Sequence, residues 1–391
     1  MHNPHRQVNT HLIYLVDFGV DWTDDELVVD RGLSIVSEGT PPNHDHGTVC
    51  SKVLGSQGVR CTYKSRINAT VGLLQILGPS GGSDEGYVPP YSSVRASIFS
   101  ESWGWTDDGA AWVPQRPGWD TYAEAVKRSA TEGRAGRGTV HIRAAGNGGA
   151  KDDCVLDKYC SHPHAIAVSV TGATYRENCA PLLGTVAVPH RETLSIGGRC
   201  VRIPHGSSMA APLLTTLVSQ MLDMRPDLTP RDTQHILIGA ATPVLDGEEV
   251  LRVNGAGKLF TDRGGFGEIN FEAALNGTAT FATTPEPIDC SLTAPDCEIP
   301  FVEWVSLTAC VDPVYRRGDH DLTVTSPSNT TVTVLHRREY DFSRDFSCGV
   351  FHTNKFWGEP HTPGGLWAVR SRGSLIAGWT LWGAGSNRAH H

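Results

Sequence analysis

The sequence predicts an α/β domain built on a mostly parallel sheet flanked by helices, followed by a small all-β domain, and three observations carry that reading. "HLIYLVDFG", "VGLLQILG", "ASIFSESW", "TVHIRAAGN" and "AIAVSV" are short, near-continuous apolar runs ending in glycine or polar residues, the pattern of strands buried on both faces. The helical stretches "HGTVCSKVLGS", "WDTYAEAVKRSATEG" and "HGSSMAAPLLTTLVSQML" lie among and after them, so strand and helix alternate. Beyond the Pro-, Thr- and acid-rich segment "ATTPEPIDCSLTAPDCEIP" the texture changes: "VEWVSLTACV", "HDLTVTSP", "TTVTVLH", "GLWAVRS" and "IAGWTLWG" alternate in period two between turn signals, as in a β-sandwich. The expected divisions are 1–282 for the first domain, 283–299 for a linker, 300–385 for the second domain and 386–391 for a tail.

A chain of 391 residues is long enough for two domains, one with a sizeable core. Its 42 Gly and 24 Pro imply many turns, and 39% hydrophobic residues is ordinary for a globular protein. A formal charge of -9 argues against nucleic acid or an anionic membrane as partner and suits a cationic substrate. No apolar run approaches the roughly 18 residues needed to cross a bilayer. The opening "MHNPHRQVNTHLIYLVDFGV" lacks the basic, apolar and small-residue order of a signal peptide. Ten Cys, none in a CxxC pair, and Asn-x-Thr sites at Asn68, Asn276 and Asn329 nevertheless suit the secretory pathway or the extracellular space. The expectation is a secreted glycoprotein whose leader is not in this chain.

The chemistry-bearing residues come in chain order. Asp17 ends the first strand, where a carboxylate can hold an imidazole in one tautomer. His46 opens the helix "HGTVCSKVLGS". Asn147 stands in "AAGNGG" after a strand, where a side-chain amide between glycines can donate to a developing oxyanion. In "HGSSMAAP", Gly206, Ser207 and Ser208 clear a path to the tip of an apolar helix, and Ser208 there is either a capping serine or a nucleophile. Taken singly each is ordinary, but the order Asp, His, Asn, Ser is that of the subtilisin arrangement. A further helix is announced by "LTPRDTQHILIGAA", with Thr229 able to cap, Pro230 at the first helical position and Asp232 in the first turn.

With these motifs the chain resembles a subtilisin-like serine protease of the kexin and furin (proprotein convertase) branch. "HGT", "AAGNGG" and "GSSMAAP" resemble the three signatures of that family, with Ser207 in place of the more usual Thr. "SESWGWTDDG" resembles the substrate-binding segment of the branch, and "VYRRGDHDLTVTSPSNTTVTVL" with "GGLWAVRSRGSLIAGWTLWG" resembles its jelly-roll-like P domain. The resemblance implies a monomeric endopeptidase that cuts polypeptides, in which Ser208 attacks, His46 moves the proton, Asp17 orients His46 and Asn147 stabilises the oxyanion.

It also implies a substrate site formed by Ser102, Trp103 and Gly104, with Asp107 and Asp157 lining the first pocket. A Ca2+ ion is expected behind that pocket, held by Asp107, Glu177 and either Asp152 or Asp153. Disulfides Cys61–Cys200 and Cys154–Cys179 are implied by the same resemblance. In the second domain Cys310–Cys348 and Cys290–Cys297 are the expected pairs, and Cys50 and Cys160 are left either free or paired with each other. Three departures stand out. Two acidic positions of the branch, at the second subsite, are Phe18 and Asn43. Few residues precede Asp17, so a pro-segment is expected to be separate or removed, and the first calcium site keeps Glu26 alone. The rival expectation is an inactive homologue that binds polypeptide without cutting it.

Overall fold

The computed structural model describes residues 11–36, 45–56, 58, 60–65, 67–75, 95–104, 119–149, 155–157, 161–171, 183–189, 191–244, 250–291, 297–311, 316–344, 347–372 and 374–384. The chain runs through β1 (His11–Asp17), α1 (Asp45–Gly55), β2 (Ala69–Gln75), β3 (Ile98–Glu101), α2 (Trp119–Gly136), β4 (Val140–Ala144), β5 (Ala165–Val170) and β6 (Gly184–Val186). A hairpin, β7 (Thr193–Ile196) and β8 (Arg199–Arg202), leads to α3 (Ser207–Met224) and α4 (Pro230–Gly239). Then come β9 (Ala241–Thr242), β10 (Arg252–Val253), β11 (Leu259–Phe260), β12 (Glu268–Ile269) and α5 (Phe271–Thr280).

Eight of these strands form one sheet in the order β2-β1-β3-β4-β5-β6-β12-β9, parallel except for the last pair. The strands are near-continuously apolar because both faces are covered. On one face lies α3, apolar on all sides, with Leu214, Leu217, Val218 and Met221 fully buried, packed on β3, β4, β5, α1 and α5. On the other, Tyr122 and Val126 of α2 pack with Tyr14, Val16, Leu74 and Phe99. Because the strands run parallel, their carboxyl ends share one edge, and β1, β3 and β4 deliver Asp17, Ser102 and Asn147 to it.

Seven more strands follow: β13 (Pro287–Ser291), β14 (Phe301–Val311), β15 (Asp321–Thr325), β16 (Thr331–Leu335), β17 (Ser347–Thr353), β18 (Ala368–Arg372) and β19 (Ser374–Ala384). They make two antiparallel sheets, β13-β19-β14-β17 and β16-β15-β18. The period-two pattern is seen in β15 and β16, whose Leu322, Val324, Val332 and Val334 point inward. The stretch expected to be a linker differs: Pro287–Ser291 within it is a strand hydrogen-bonded to β19. Proline is tolerated at the first position of a strand, and the polar composition hid the buried Cys290.

The expected disulfides Cys61–Cys200, Cys290–Cys297 and Cys310–Cys348 are formed, and Cys50 is a buried free thiol. Cys154, Cys160 and Cys179 lie outside the described residues. The capping reading of α4 holds: Thr229 accepts from the Asp232 amide, and the Asp232 carboxylate accepts from the Thr229 amide. The same carboxylate accepts from Thr284 at 2.7 Å, which ties α4 to the chain leading into β13.

The parallel and antiparallel layers meet along a buried polar seam. Arg231 of α4 grips Glu303 of β14 through Nε (2.9 Å) and Nη2 (2.6 Å), and His235 Nε2 bonds the same carboxylate at 2.9 Å. The Arg231 guanidinium lies 5.1 Å from the Trp382 ring, and His235 packs against Phe301 and Trp357. Farther along, Asn254 donates to the Lys355 and Trp357 carbonyls, and the Gly255 amide donates to Thr330 and Glu359.

Candidate active site

Asp17, the last residue of β1, is fully buried, and its Oδ1 accepts from the Phe18 amide at 2.8 Å. Both carboxylate oxygens face His46 Nδ1, at 2.9 and 3.0 Å. An ionised carboxylate only accepts, so Nδ1 carries the hydrogen and donates. Each residue of "HGT" has a local role here. A Cβ on Gly47 would run into the Gly19 carbonyl and lie 3.2 Å from Asp17 Cγ, so only glycine lets the start of α1 seat on the end of β1. Thr48 Oγ1 accepts from the Asp21 amide at 2.7 Å and holds the loop after β1.

One turn along α1, Cys50 Sγ lies 3.9 Å from His46 Nδ1 and donates to the Ser208 carbonyl at 3.5 Å. This thiol therefore touches both the imidazole and the residue expected to be the nucleophile. The sequence reading left Cys50 either free or paired with Cys160 and gave it no place in the site. The signal was its spacing, since a residue four after His46 shares its helix face. Burial works against protonation of His46, but the charge and hydrogen bond of the Asp17 carboxylate favour it, and the imidazole is raised above its ordinary 6.5. Burial also pushes the Cys50 thiol up, so near neutral pH the sulfur is uncharged and Asp17 supplies the field on the ring.

Ser208 is the second residue of α3 and partly exposed; Gly206 holds the N-cap position with φ 126° and has no side chain to cap with. The capping reading of Ser208 is thereby removed. Gly206 is needed for that positive φ and for closeness, because a Cβ there would sit 3.1 Å from Asn147 Oδ1. Asn147 Oδ1 accepts from the Ser207 amide at 2.9 Å and the Ser207 hydroxyl at 3.2 Å, while the Gly146 amide donates to Ser207 Oγ. Ser207 thus clamps the Asn147 side chain to the tip of α3.

Ser102, Trp103 and Gly104 continue from β3, and Ser102 Oγ donates to the Ser208 carbonyl at 2.8 Å. Asp157 lies beside this segment: its Oδ2 is 3.1 Å from where a Gly104 Cβ would stand. Phe18 sits edge-on to the His46 ring, centroids 5.9 Å apart. Glu26 is paired with Arg60 at 3.3 Å. Asn43, Asp107, Asp152, Asp153 and Glu177 lie outside the described residues, and with them the whole ligand set expected for Ca2+. No helix among the described residues is long and apolar enough to cross a membrane.

One edge of the α/β sheet thus carries the buried Asp17, its half-exposed partner His46 and the serine-tipped helix α3. Residues 36–257 match the subtilase family, and the chain belongs to that family of serine endopeptidases. Residues 302–371 match the proprotein convertase P-domain. The chain is 36% identical over 347 residues to a subtilisin-like protease of Ictalurid herpesvirus 1 (strain Auburn), covering 86% of this chain and 89% of that protein. Endoprotease aex-5 of Caenorhabditis elegans is 29% identical over 351 residues, covering 84% of this chain and 64% of that protein. Proprotein convertase subtilisin/kexin type 4 of Homo sapiens is 28% identical over 361 residues, covering 83% of this chain but 47% of that protein. Among solved structures the serine protease of Aeromonas sobria in complex with its chaperone shares the fold, with TM-score 0.76 at 14% identity over 96% of this chain and 88% of that one.

Proposed function

We propose that this chain hydrolyses peptide bonds with Ser208 as nucleophile, His46 as general base and acid, and Asp17 as the residue that orients and stabilises the imidazolium. The observation that carries this reading is the His46 Nδ1 contact to both oxygens of the buried Asp17, beside a thiol that also touches the Ser208 carbonyl. With Nδ1 donating to Asp17, Nε2 is left to take the Ser208 proton. Ser208 Oγ attacks the carbonyl carbon, and the oxyanion accepts from the Asn147 amide and the Ser208 N–H. His46 then protonates the leaving amine, and a water molecule repeats the cycle on the acyl-enzyme.

Ser102, Trp103 and Gly104 bind the peptide backbone. Asp107 and Asp157 favour Arg or Lys just before the cut, and the position of Asp157 against Gly104 supports that role. Phe18 and Asn43 at the second subsite remove the family's acidic pair and admit apolar residues, and the contact of Phe18 with His46 supports this. Asp107, Glu177 and Asp152 or Asp153 would hold Ca2+, which would add stability and supply no chemical step. The disulfides support an enzyme of an oxidising compartment, the secretory pathway or the extracellular space.

The test is labelling by a fluorophosphonate together with hydrolysis of a peptide ending in Arg, for the parent chain and for Ser208→Ala. Labelling and hydrolysis are expected in the parent and in neither assay for the variant. A parent chain that binds peptide without labelling would establish the inactive homologue instead.

A further inference from the structure

Two strands that read as near-continuous apolar runs carry buried charge at the edge where substrate would lie. Glu101 ends β3, Arg143 stands directly opposite it in β4, and both are fully buried, as is His141 two residues earlier in β4. Arg143 Nη1 donates to Glu101 Oε2, and His141 Nδ1 donates to Glu101 Oε1 at 2.9 Å. From α2, the Tyr122 hydroxyl accepts from Arg143 Nη1 at 3.1 Å and Ser129 Oγ bonds His141 Nε2 at 3.1 Å. Taking charges out of water costs several kcal/mol per ion, and an apolar pair of like volume is often as stable, so stability alone does not account for this cluster.

What the cluster holds is the next segment of chain. Arg143 Nη2 donates to the Trp103 carbonyl at 2.9 Å, and its guanidinium lies 4.2 Å from the Trp103 ring centroid. The ring in turn meets Tyr122 edge-on at 6.3 Å. Trp103 is therefore gripped by its carbonyl and its ring from the α2 side, while Ser102, just before it, bonds the Ser208 carbonyl on the α3 side. In an extended segment successive residues face opposite ways. Gripping Trp103 fixes how its neighbours Ser102 and Gly104 present their peptide groups to an added strand.

We propose that Arg143, oriented by Glu101, is a positioning residue that fixes the Ser102–Gly104 backbone for pairing with an extended peptide. This rests on reading that segment as the peptide-binding one. Arg143→Lys keeps the charge opposite Glu101, but an ammonium cannot fork to the carboxylate, the Tyr122 hydroxyl and the Trp103 carbonyl together.

The experiment compares the parent chain with Arg143→Lys on a hexapeptide amide, on a single-residue ester and by fluorophosphonate titration. Titration reports Ser208 alone; the hexapeptide also needs the segment. We expect KM for the hexapeptide to rise about tenfold, the effect of one lost charge-assisted hydrogen bond, with ester hydrolysis changed less than about twofold and titration unchanged. If Arg143→Lys is not recovered folded, the paired Glu101→Gln/Arg143→Met variant, which leaves no buried charge from this pair, is expected to give the same pattern. Equal losses on ester and hexapeptide, or no loss on the hexapeptide, would overturn the positioning role. A parent chain that fails to titrate would sink the nucleophile assignment, and the Kd of the uncut hexapeptide for the two proteins would then decide the positioning role by the same tenfold criterion.

Discussion

Replacing Glu303 by alanine is the most exacting perturbation of the seam between α4 and β14. The carboxylate is fully buried and accepts three hydrogen bonds, two from Arg231 and one from His235. Its loss leaves a guanidinium with a side chain only 13% exposed, still bonded to the Pro285 carbonyl but facing no carboxylate at this site. Breaking a buried ion pair from one side costs about 3–5 kcal/mol, whereas removing both charges is often neutral or stabilising by about 1–4 kcal/mol. Glu303→Ala should therefore lower stability by ~3–5 kcal/mol, and Arg231→Met/Glu303→Leu should recover most of it. The readout is the midpoint of urea unfolding at constant slope. Burial raises the Glu303 pKa, but the bonds from His235 and Arg231 outweigh it and hold the group below its ordinary 4.5. The contribution is accordingly present above pH 4.5 and lost as pH falls through the lower folded value. A single-variant cost under ~1 kcal/mol, or a double variant as damaged as the single, would refute the buried-pair reasoning.

The other expectations concern the site. Asn147→Ala should reduce kcat about 10²- to 10³-fold without abolishing turnover, since the Ser208 N–H remains as an oxyanion donor; an inactive variant would mean that Asn147 holds the site together instead. Calcium removal should lower both the melting temperature and activity on peptides ending in Arg, and titration that moves neither counts against the ion. His46 must be neutral to act as base, and its pKa is raised, so kcat/KM should climb with pH through a value above 6.5. Asp17→Asn should move the limb back toward acid. Phe18→Asp should raise the preference for a basic second residue by about tenfold or more in a peptide-library profile, and an unmoved profile would show that Phe18 does not reach that subsite.

Much of the site was legible because each piece is encoded within a few residues. The glycine after His46 is demanded by the Gly19 carbonyl against it, Gly146 and Gly149 by their positive φ, and Gly206 by its positive φ and the Asn147 side chain beside it. The alternation of apolar runs with helical stretches likewise gave the parallel sheet. Local pattern missed what is short or only half-apolar. Gly197 and Gly198, both at positive φ, make the β7–β8 turn that a Gly-Gly pair signals, and Asn270 caps α5 through its bond to the Ala273 amide. In β17, "SCGVFHT" buries Phe351 against β14 with too few apolar residues to announce a strand.

The charged clusters were illegible for a deeper reason. Glu101 and Arg143 are 42 residues apart, and Arg231 and Glu303 are 72 apart. Within its own element each such residue reads as a break in hydrophobicity or as an exposed position, because nothing local reveals the opposite charge that makes burial tolerable. Only the register of β3 on β4, and of α4 on β14, joins them. The two clusters share a design in which one buried carboxylate receives an Arg and a His. At Glu101 the Arg takes one oxygen and the His the other, whereas at Glu303 Arg231 takes both oxygens and His235 adds a second bond to Oε1; in each case neither oxygen is left unsatisfied. In one place this arrangement fixes the backbone beside Ser208, and in the other it fixes α4 on the antiparallel sheet. Removing a carboxylate should therefore be costly at both, but only the first should discriminate between long and short substrates.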